Sequence, residues 1–303
     1  MSILNKKYFT SEKAAFKHLE KILWPNGAVC PHCGSMSQPY DLSKTRVGLK
    51  KCREKECRKQ FTVRVGTVFE SSHIHLHKWL QATYLICSSK KGISAHQLHR
   101  ILDITYKSAW FMCHRIREAM SNDSLPPLGG EGKTVQVDET YFGKKEVVTK
   151  RTKRGKPSHS SKMSVVSLVS EGKSRTFHID RANAGTIRGI LAQNVLQETT
   201  LHTDESYLYR KVGVEYGDHQ TVKHTRGEYV GKQGQHINGC ENYFSVFKRG
   251  MKGVYQHCNE RHLQRYLAEF DHRYNTREME DIERTELALK GAVGKRLTYR
   301  VID

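Results

Sequence analysis

The sequence predicts a mixed α/β chain in which two small N-terminal modules precede one larger α/β domain. Three observations lead to this fold class. Two close pairs of cysteines lie within the first sixty residues, helical patterns dominate from about residue 75 to 120, and strand-like runs alternate with a helix after residue 133. A chain of 303 residues is long enough for more than one domain, so each pattern is assigned to its own region.

The first region, residues 1–72, is predicted to contain one helix and a small metal-binding module. Residues 10–24 place apolar side chains along one helical face, and Pro25 ends the pattern. A Cys-rich segment, 28–70, follows. Its second half contains QFTVRVGTVFE, which alternates between apolar and polar residues as a strand does.

The four cysteines of this segment have a spacing typical of zinc ligands. Two CxxC-like pairs about 15 to 20 residues apart supply the four thiolates that close a tetrahedral shell around zinc. The second pair has four intervening residues instead of two, which weakens the match. The N-terminus lacks a signal-peptide core, so a reducing compartment is expected, where thiols stay free to bind metal. The predicted ligands of a structural zinc ion are Cys30, Cys33, Cys52 and Cys57.

Residues 73–122 are predicted to form three helices, the last two of which make a helix-turn-helix. Ser94 and Gln97 fit a capping box, and Thr105 is placed to cap the following helix. An ordinary helical pair has the same pattern, and the basic surroundings favour the DNA-binding interpretation. The side chains expected to reach a major groove are Tyr106, Lys107, His114, Arg115 and Arg117.

The second half of the chain has the pattern of an α/β domain. A polar stretch with Gly and Pro, residues 123–133, is predicted to be a linker. The next segments indicate three strands, a helix and a fourth strand, and the chain from about residue 236 is mostly helical. This order favours a ribonuclease H-like domain over residues 134–280, followed by a C-terminal tail, 281–303.

The charge of the chain favours a polyanionic partner. Lys and Arg total 51 against 31 Asp and Glu, a net charge of +20. The segment from Lys144 to Lys162 holds eight of these cations and one Glu, so we expect it to be disordered in the free protein and to grip phosphates. No run of about 18 apolar residues exists, so no membrane span is expected. The expected DNA contacts in this segment are Lys150, Arg151, Lys153 and Arg154.

Three carboxylates stand on the predicted elements where a metal-dependent site would need them. Asp138 lies inside the β-like TVQVDETYFG, Asp204 ends LHTD, and Glu241 is on the helix after HINGC. Magnesium prefers oxygen ligands, and phosphoryl transfer on DNA uses such metals to bridge the attacking and leaving oxygens. Glu139 points to the opposite face of the strand from Asp138. Lys248, seven residues past Glu241, shares its helical face and could hold a DNA phosphate.

Several motifs resemble one family. VDETYFGKK, TDESYLY and the stretch from His236 to Asn275 resemble the bacterial insertion-sequence transposases related to the eukaryotic Merlin elements, the ISXO2-like family. The similarity covers residues 10 to 280, in the order of an N-terminal zinc ribbon and a DDE-type domain. The resemblance implies a ribonuclease H-like fold, two magnesium or manganese ions, and recognition of the element's own terminal inverted repeats.

The resemblance assigns two acids and leaves the third position open. The family's first two acids map to Asp138 and Asp204. Some members have Asn in place of the final Glu, and HINGCEN offers both Asn238 and Glu241. We favour Glu241, because a carboxylate is the better metal ligand and because of its spacing to the lysine. Asn238 and His236 are then supporting residues.

The function implied is that of a transposase that binds double-stranded DNA, both transposon ends and target, as a homo-oligomer on DNA in the cytoplasm, associated with the nucleoid. Water would attack a phosphodiester at the transposon end, and the freed 3′ hydroxyl would attack target DNA. Two other functions stay open. One is a regulator derived from a transposase that has lost catalysis, against which the intact acids argue. The other is a different nuclease of the same fold, against which the ribbon and helix-turn-helix argue.

Overall fold

The computed structural model describes residues 3–121, 125–145, 162–223, 230–231 and 234–298. The chain divides into two compact units. Unit 1 comprises Met1–Asn122 with Glu278–Asp303, and unit 2 comprises Asp123–Arg277. Each unit buries its own apolar core. Among the helices in the described part of the chain, none is both long and apolar enough to cross a membrane.

Unit 1 begins with helices and a small sheet. After a 3-10 turn at Ile3–Asn5, the helices are α1 (Lys7–Thr10) and α2 (Glu12–Leu23), and α2 ends just before Pro25 as predicted. Three short strands follow and pair antiparallel in chain order: β1 (Tyr40–Asp41), β2 (Lys50–Lys51) and β3 (Gln60–Phe61).

The strand predicted over QFTVRVGTVFE was too long. Only its first two residues, in β3, form part of a strand, and Thr67 makes an isolated bridge with Val293. The chain then turns, because the Val65 amide donates to the Thr62 carbonyl at 3.1 Å and Gly66 takes a φ of +72°. Apolar alternation alone did not reveal this turn.

The three helices predicted after residue 75 are confirmed. They are α3 (Leu76–Ser88), α4 (Ala95–Leu102) and α5 (Tyr106–Met120). Both caps form, because the Ser94 and Thr105 side chains accept the amides of the third helical residues. The apolar side chains along one side of α5 are buried: Ala109, Met112, Cys113, Ile116 and Met120.

Unit 2 is built on a five-stranded sheet. Its strands are β4 (Thr134–Phe142), β5 (Met163–Ser170), β6 (Lys173–Ile179), β7 (Thr200–Asp204) and β8 (Asp218–Val222). Their order in the sheet is β6-β5-β4-β7-β8. The first three form an antiparallel meander, whereas β7 runs parallel to β4, and β8 runs parallel to β7. The first four were predicted from sequence, and β8 was not.

Helices cover both faces of this sheet. They are α6 (Ala184–Asn194), α7 (Tyr207–Gly213), α8 (Asn238–Gly250), which runs into a π-helical turn at Met251–Tyr255, and α9 (Leu263–Asn275). One core contains side chains of β5, α8 and α9, and the other contains side chains of β4, α6 and α7. Side chains alternate along a strand, so β4 directs Val135 and Val137 into the second core, and Gln136 and Asp138 toward α8.

The last helix of the described chain belongs to unit 1. This helix is α10 (Asp281–Lys290), and its Ala288 and Leu289 are buried in the unit 1 core. Arg284 Nη1 donates to the Cys87 carbonyl of α3 at 3.1 Å. The segment expected as a C-terminal tail, 281–303, therefore begins with a helix that is part of a core.

Candidate active site and cysteine cluster

The four cysteines predicted as zinc ligands lie together in unit 1. Their Sγ atoms all lie within 4.8 Å of one another. The Sγ atoms of Cys30 and Cys57 are 3.8 Å apart, and those of Cys33 and Cys52 are 3.6 Å apart. A tetrahedral site with Zn–S bonds of about 2.3 Å places its sulfurs about 3.8 Å apart. The donor set and its spacing therefore fit a zinc ion.

The electrostatics of the cluster also favour a cation. Burial and the neighbouring thiols Cys33, Cys30 and Cys57 raise the pKa of Cys52 to about 12. Four thiols so close together do not all ionise at neutral pH unless a positive charge compensates them. A bound zinc ion would supply that charge, because coordinated thiols lose their protons.

The predicted acids meet on one face of the unit 2 sheet. Asp138 and Asp204 lie on the neighbouring strands β4 and β7, each two residues beyond the register pair Gln136 and His202. Even-numbered neighbours on a strand share a face, so both aspartates lie on the face that α8 covers. Glu241 lies in the first turn of α8.

The charges of these acids act on one another. Burial raises the pKa of Asp138 to about 8, and the charges of Glu139, Asp204 and Glu241 add to the effect. A carboxyl group surrounded by like charges is stabilised as an anion when a divalent cation binds. The oxygen donors and the unfavourable charge density therefore fit magnesium or manganese.

Lys248 is placed as predicted. It lies two turns along α8 from Glu241, on the same helix face, and the charge of Asp138 acts on its ammonium group. Burial lowers the pKa of Lys248, Asp138 opposes this shift, and the charges of Lys252 and Lys162 reinforce it. A group of cations thus borders the acidic site.

The two candidates for the third acid position differ in their surroundings. Asn238 is the first residue of α8, and its side chain is exposed. Glu241 is half-buried, and its charge reaches Asp138. His236, expected as a supporting residue, donates its backbone amide to Nδ1 of His202 at 3.4 Å. Burial lowers the pKa of His202, which keeps this ring nitrogen free to accept.

Behind the acids lies a Tyr–Glu pair that the sequence did not indicate, and its tyrosine is buried. The Tyr209 hydroxyl of α7 donates to the carboxylate of Glu139, and Tyr209 is 1% exposed. Burial raises the pKa of Glu139. Glu139 points away from α8 as its strand position predicts, yet its charge still acts on Asp138. The motif TDESYLY contains this tyrosine, but a sequence pattern does not show which side chain it contacts.

The predicted groove-contacting residues of α5 divide into two groups. Tyr106 and Lys107, at the start of the helix, are exposed. His114, Arg115 and Arg117 are buried, with 1%, 5% and 2% exposure. Three of the five are therefore buried in this structure instead of lying on the helix surface. The cause is that α5 packs against α3, α4 and α10, so that it is covered on more sides than its apolar stripe indicated.

Arg115, which was expected to contact DNA, is buried inside unit 1. Its guanidinium donates to the backbone carbonyls of Glu70 at 2.7 Å and Leu297 at 3.1 Å. It also lies over the rings of Trp79 and Phe111, at 5.8 Å and 5.3 Å from their centroids. Burial lowers its pKa to about 10. Inside unit 1, Arg115 therefore joins two segments of the chain, those that contain Glu70 and Leu297.

Most of the basic segment falls outside the described residues. The predicted phosphate contacts Lys150, Arg151, Lys153 and Arg154 lie within residues 146–161, which the structure does not describe. Lys145 and Lys162, at its two edges, are described. Lys145 lies 3.7 Å from Glu260 (Nζ to Oε1), and Lys162 is one of the cations whose charge reaches Lys248.

Comparison with known proteins relates both regions to mobile DNA. The family model for the ISXO2-like transposase domain matches residues 127–275, and that for the transposase zinc-ribbon domain matches residues 10–60. An uncharacterized protein in transposable element ISH50 of Halobacterium salinarum is 29% identical over 256 residues, covering 80% of this chain and 84% of that protein.

One solved structure has a weak similarity to the chain. It is the cryo-EM structure of the simian T-cell lymphotropic virus intasome in complex with PP2A regulatory subunit B56 gamma, with 13% sequence identity. The match covers 57% of this chain and 67% of that chain, with a TM-score of 0.28.

Proposed function

Because the chain belongs to the ISXO2-like transposases that carry an N-terminal transposase zinc ribbon, we propose that it is a catalytically active DDE transposase. Its substrate is double-stranded DNA at the terminal inverted repeats of its own insertion sequence, which it cleaves and joins to target DNA. The observation that carries the proposal is the placement of Asp138, Asp204 and Glu241 on one face of the unit 2 sheet, with their charges acting together.

The topology of unit 2 supports a ribonuclease H-like fold. An antiparallel meander, β4 to β6, is followed by a helix and then by two strands parallel to β4, with helices on both faces. The first and fourth strands lie side by side, which brings their acids together. In unit 1, we propose that the helices α4 and α5 form a helix-turn-helix that contacts DNA beside the ribbon.

The residues of the site have separate tasks in this proposal. Asp138, Asp204 and Glu241 would hold magnesium or manganese, which when bound supplies Lewis-acid stabilisation of the transferred phosphate. Lys248 would pair with a phosphate oxygen of the DNA strand and hold that strand against the acids. Tyr209 is buried behind the acids and its hydroxyl donates to Glu139, so we expect neither residue to contact DNA.

Binding of DNA is assigned mainly to other parts of the chain. The net charge of +20 and the basic segment with Lys150, Arg151, Lys153 and Arg154 would neutralise phosphates in any sequence. The zinc ribbon and the exposed start of α5, with Lys107, would add contacts near the inverted repeat. A transposon has two ends, so we propose that two or more copies of the chain assemble on the DNA.

The test compares cleavage and binding on the same labelled transposon end. Asp138→Ala, Asp204→Ala and Glu241→Ala should each abolish metal-dependent cleavage and leave the gel shift nearly unchanged, because the acids act as charge develops in the transition state. Asn238→Ala is the matched control and should cost less, since a neutral amide is the weaker magnesium ligand.

Three outcomes would contradict parts of this proposal. Full cleavage by Asp138→Ala would remove the catalytic assignment. Full cleavage by Glu241→Ala with none by Asn238→Ala would move the third position to Asn238. A wild-type protein that binds the end and does not cleave it in magnesium or manganese would be a DNA-binding regulator.

A further inference from the structure

The start of α8 lacks the usual local cap. The first amides of a helix have no partner inside the helix, and a side chain at the N-cap position normally accepts one of them. The N-cap residue here is Ile237, whose side chain has no acceptor and makes no capping bond. The amide of the second helical residue, Gly239, donates instead to Oε1 of Gln136 on β4, at 2.8 Å.

Further contacts hold the same helix start to the sheet. Cys240, which is fully buried, points its Sγ at the Gln136 carbonyl, 3.4 Å away. The His236 amide, just before the helix, donates to His202 on β7. Gln136 and His202 are register partners across the two strands. The register pair Gln136 and His202 therefore contacts the start of α8 from both strands, β4 and β7.

Gly239 allows the close approach. A Cβ built on it would lie 2.7 Å from Oε1 of Gln136 and 2.9 Å from Cγ1 of Val169. Any other residue here would displace the glutamine or lift the helix from the sheet. Glycine weakens a helix, so its presence in the first turn is explained by this approach.

This row of contacts lies next to the acids. Gln136 precedes Asp138 by two residues, His202 precedes Asp204 by two, and all four share a sheet face. Glu241 follows Gly239 by two residues on the helix. The strands that present the two aspartates thus also fix the start of the helix that presents the glutamate.

We propose that Gln136, His202 and Gly239 form a clamp that positions Glu241 against Asp138 and Asp204. The inference rests on the proposed function, in which Glu241 is the third acid. Gln136 is a positioning residue: it acts through the helix and contacts neither DNA nor metal. Partners that orient metal ligands typically change metal affinity by about 10- to 100-fold when they are removed.

The experiment measures Mn²⁺ alone, by electron paramagnetic resonance, on the full-length protein with its zinc retained. Gln136→Leu keeps the side-chain volume and removes the acceptor, and it should weaken Mn²⁺ binding about tenfold. Cleavage by this variant should recover at high Mn²⁺ concentration, whereas cleavage by Glu241→Ala should not. Gly239→Ala tests the clamp from the helix side and should act in the same direction.

Gln264→Leu is the matched control. Gln264 on α9 also accepts a backbone amide through Oε1 at 2.8 Å, from His178 on the edge strand β6. The two glutamine variants should lower the melting temperature by similar amounts, so that a general loss of stability does not explain a difference in Mn²⁺ affinity. Only the clamp variant should change that affinity.

A double-mutant cycle separates this inference from the proposed function. If Gln136 acts through Glu241, Gln136→Leu should change Mn²⁺ affinity less than about twofold in a Glu241→Ala background. Two outcomes would overturn the clamp alone. One is an equal effect of Gln136→Leu in both backgrounds. The other is equal Mn²⁺ affinity in Gln136→Leu and Gln264→Leu while Glu241→Ala lowers that affinity. Wild-type Mn²⁺ affinity and cleavage in Glu241→Ala would overturn the third-acid assignment together with the clamp.

Discussion

The cysteine cluster and the acidic face of the sheet are both candidate metal sites, and they relate to their folds in opposite ways. Around the cysteines, the buried core consists of Cys30, Cys52 and Phe61, with three two-residue strands about them. Around the acids, two apolar clusters fill both faces of a five-stranded sheet, and no acid of the site belongs to either.

The difference shows what each metal would do. In the ribbon the ligands are themselves the core, so a metal there contributes folding free energy. In unit 2 the core is complete without the ligands. Burial, with the charges of the neighbouring carboxylates, raises the pKa of Asp138 to about 8. A carboxyl group with a raised pKa lowers the free energy of unfolding at neutral pH. Such unfavourable groups are typical of functional sites. This difference supports the proposal of a structural metal in the ribbon and a catalytic metal in unit 2.

The largest effect expected from this comparison is loss of the ribbon fold when its metal is lost. Cys52→Ser, or removal of zinc, should unfold residues 28–70 and weaken DNA binding, because structural zinc contributes on the order of 10 kcal/mol in small metal-dependent modules. Hydrogen exchange of the segment and metal analysis of the pure protein measure this. Cys258→Ser, in unit 2, is the control and should leave both unchanged. Pure folded protein without about one equivalent of zinc would contradict the assignment.

At the acidic site, substitution of a predicted metal ligand should increase stability, whereas in the ribbon it should decrease stability. Asp138→Asn should stabilise unit 2 at pH 8 in buffer without added divalent metal. Its folded pKa of about 8 lies above the unfolded value of about 3.9. Between these values only the unfolded state releases the proton, so stability falls as pH rises from about 4 to 8 and then levels off. Asparagine avoids this loss.

The gain from Asp138→Asn should be on the order of a few kcal/mol at pH 8 and should vanish near pH 4. Calorimetric melts of wild type and variant at several pH values measure it. Asp180→Asn, at an exposed position after β6, is the control and should show no such pH dependence. A variant that is less stable than wild type at pH 8 would show that the Asp138 charge stabilises the fold.

The sequence predicted those elements whose side chains follow a pattern that is visible within the segment itself. The strands β4 to β7 and the acids on them could be predicted, because strands with buried faces are apolar-rich and metal chemistry requires Asp or Glu. The strand β8, DHQTV, could not, since only its last residue is buried and it pairs through its register with β7. The period of the apolar residues predicted helix α5. It did not predict the burial of Arg115, whose guanidinium donates to the carbonyls of Glu70 and Leu297, both distant in sequence.

The supporting residues of the site could not be predicted either, because their contacts join residues that are distant in sequence. Gln136 caps a helix that begins 102 residues later, and its bond partner Gly239 is 103 residues away in sequence. Nothing in TVQVDETYFG indicates that contact. The acids themselves stand out because a carboxylate on a strand is unusual, whereas a glutamine or tyrosine there is not.

The salt dependence of DNA affinity is expected to come from the basic segment and from neither metal site. The variant neutralises four cations together: Lys150, Arg151, Lys153 and Arg154. The slope of log affinity against log salt should fall by about 0.9 for each DNA phosphate that these side chains neutralise in the wild type. The change should be equal on transposon ends and on unrelated DNA, which serves as the control. Fluorescence anisotropy across a salt series measures it. An unchanged slope would remove this segment from the interface.

The smallest effect is expected from Lys107→Ala on α5. Lys107 is exposed at the start of the helix, so its removal should reduce the salt slope by about 1 and weaken end binding, with the unfolding free energy changed by less than about 0.5 kcal/mol. The same anisotropy series, together with thermal melts, measures both quantities.

Arg115→Ala, on the same helix, should do the reverse. Its guanidinium is buried and bonded to two backbone carbonyls, so its removal leaves those acceptors unpaired and should cost about 2 to 4 kcal/mol of stability. At a temperature where the variant is still folded, its DNA affinity and salt slope should match the wild type. If Arg115→Ala instead lost DNA affinity while melting like the wild type, α5 would have to expose that arginine when it meets DNA.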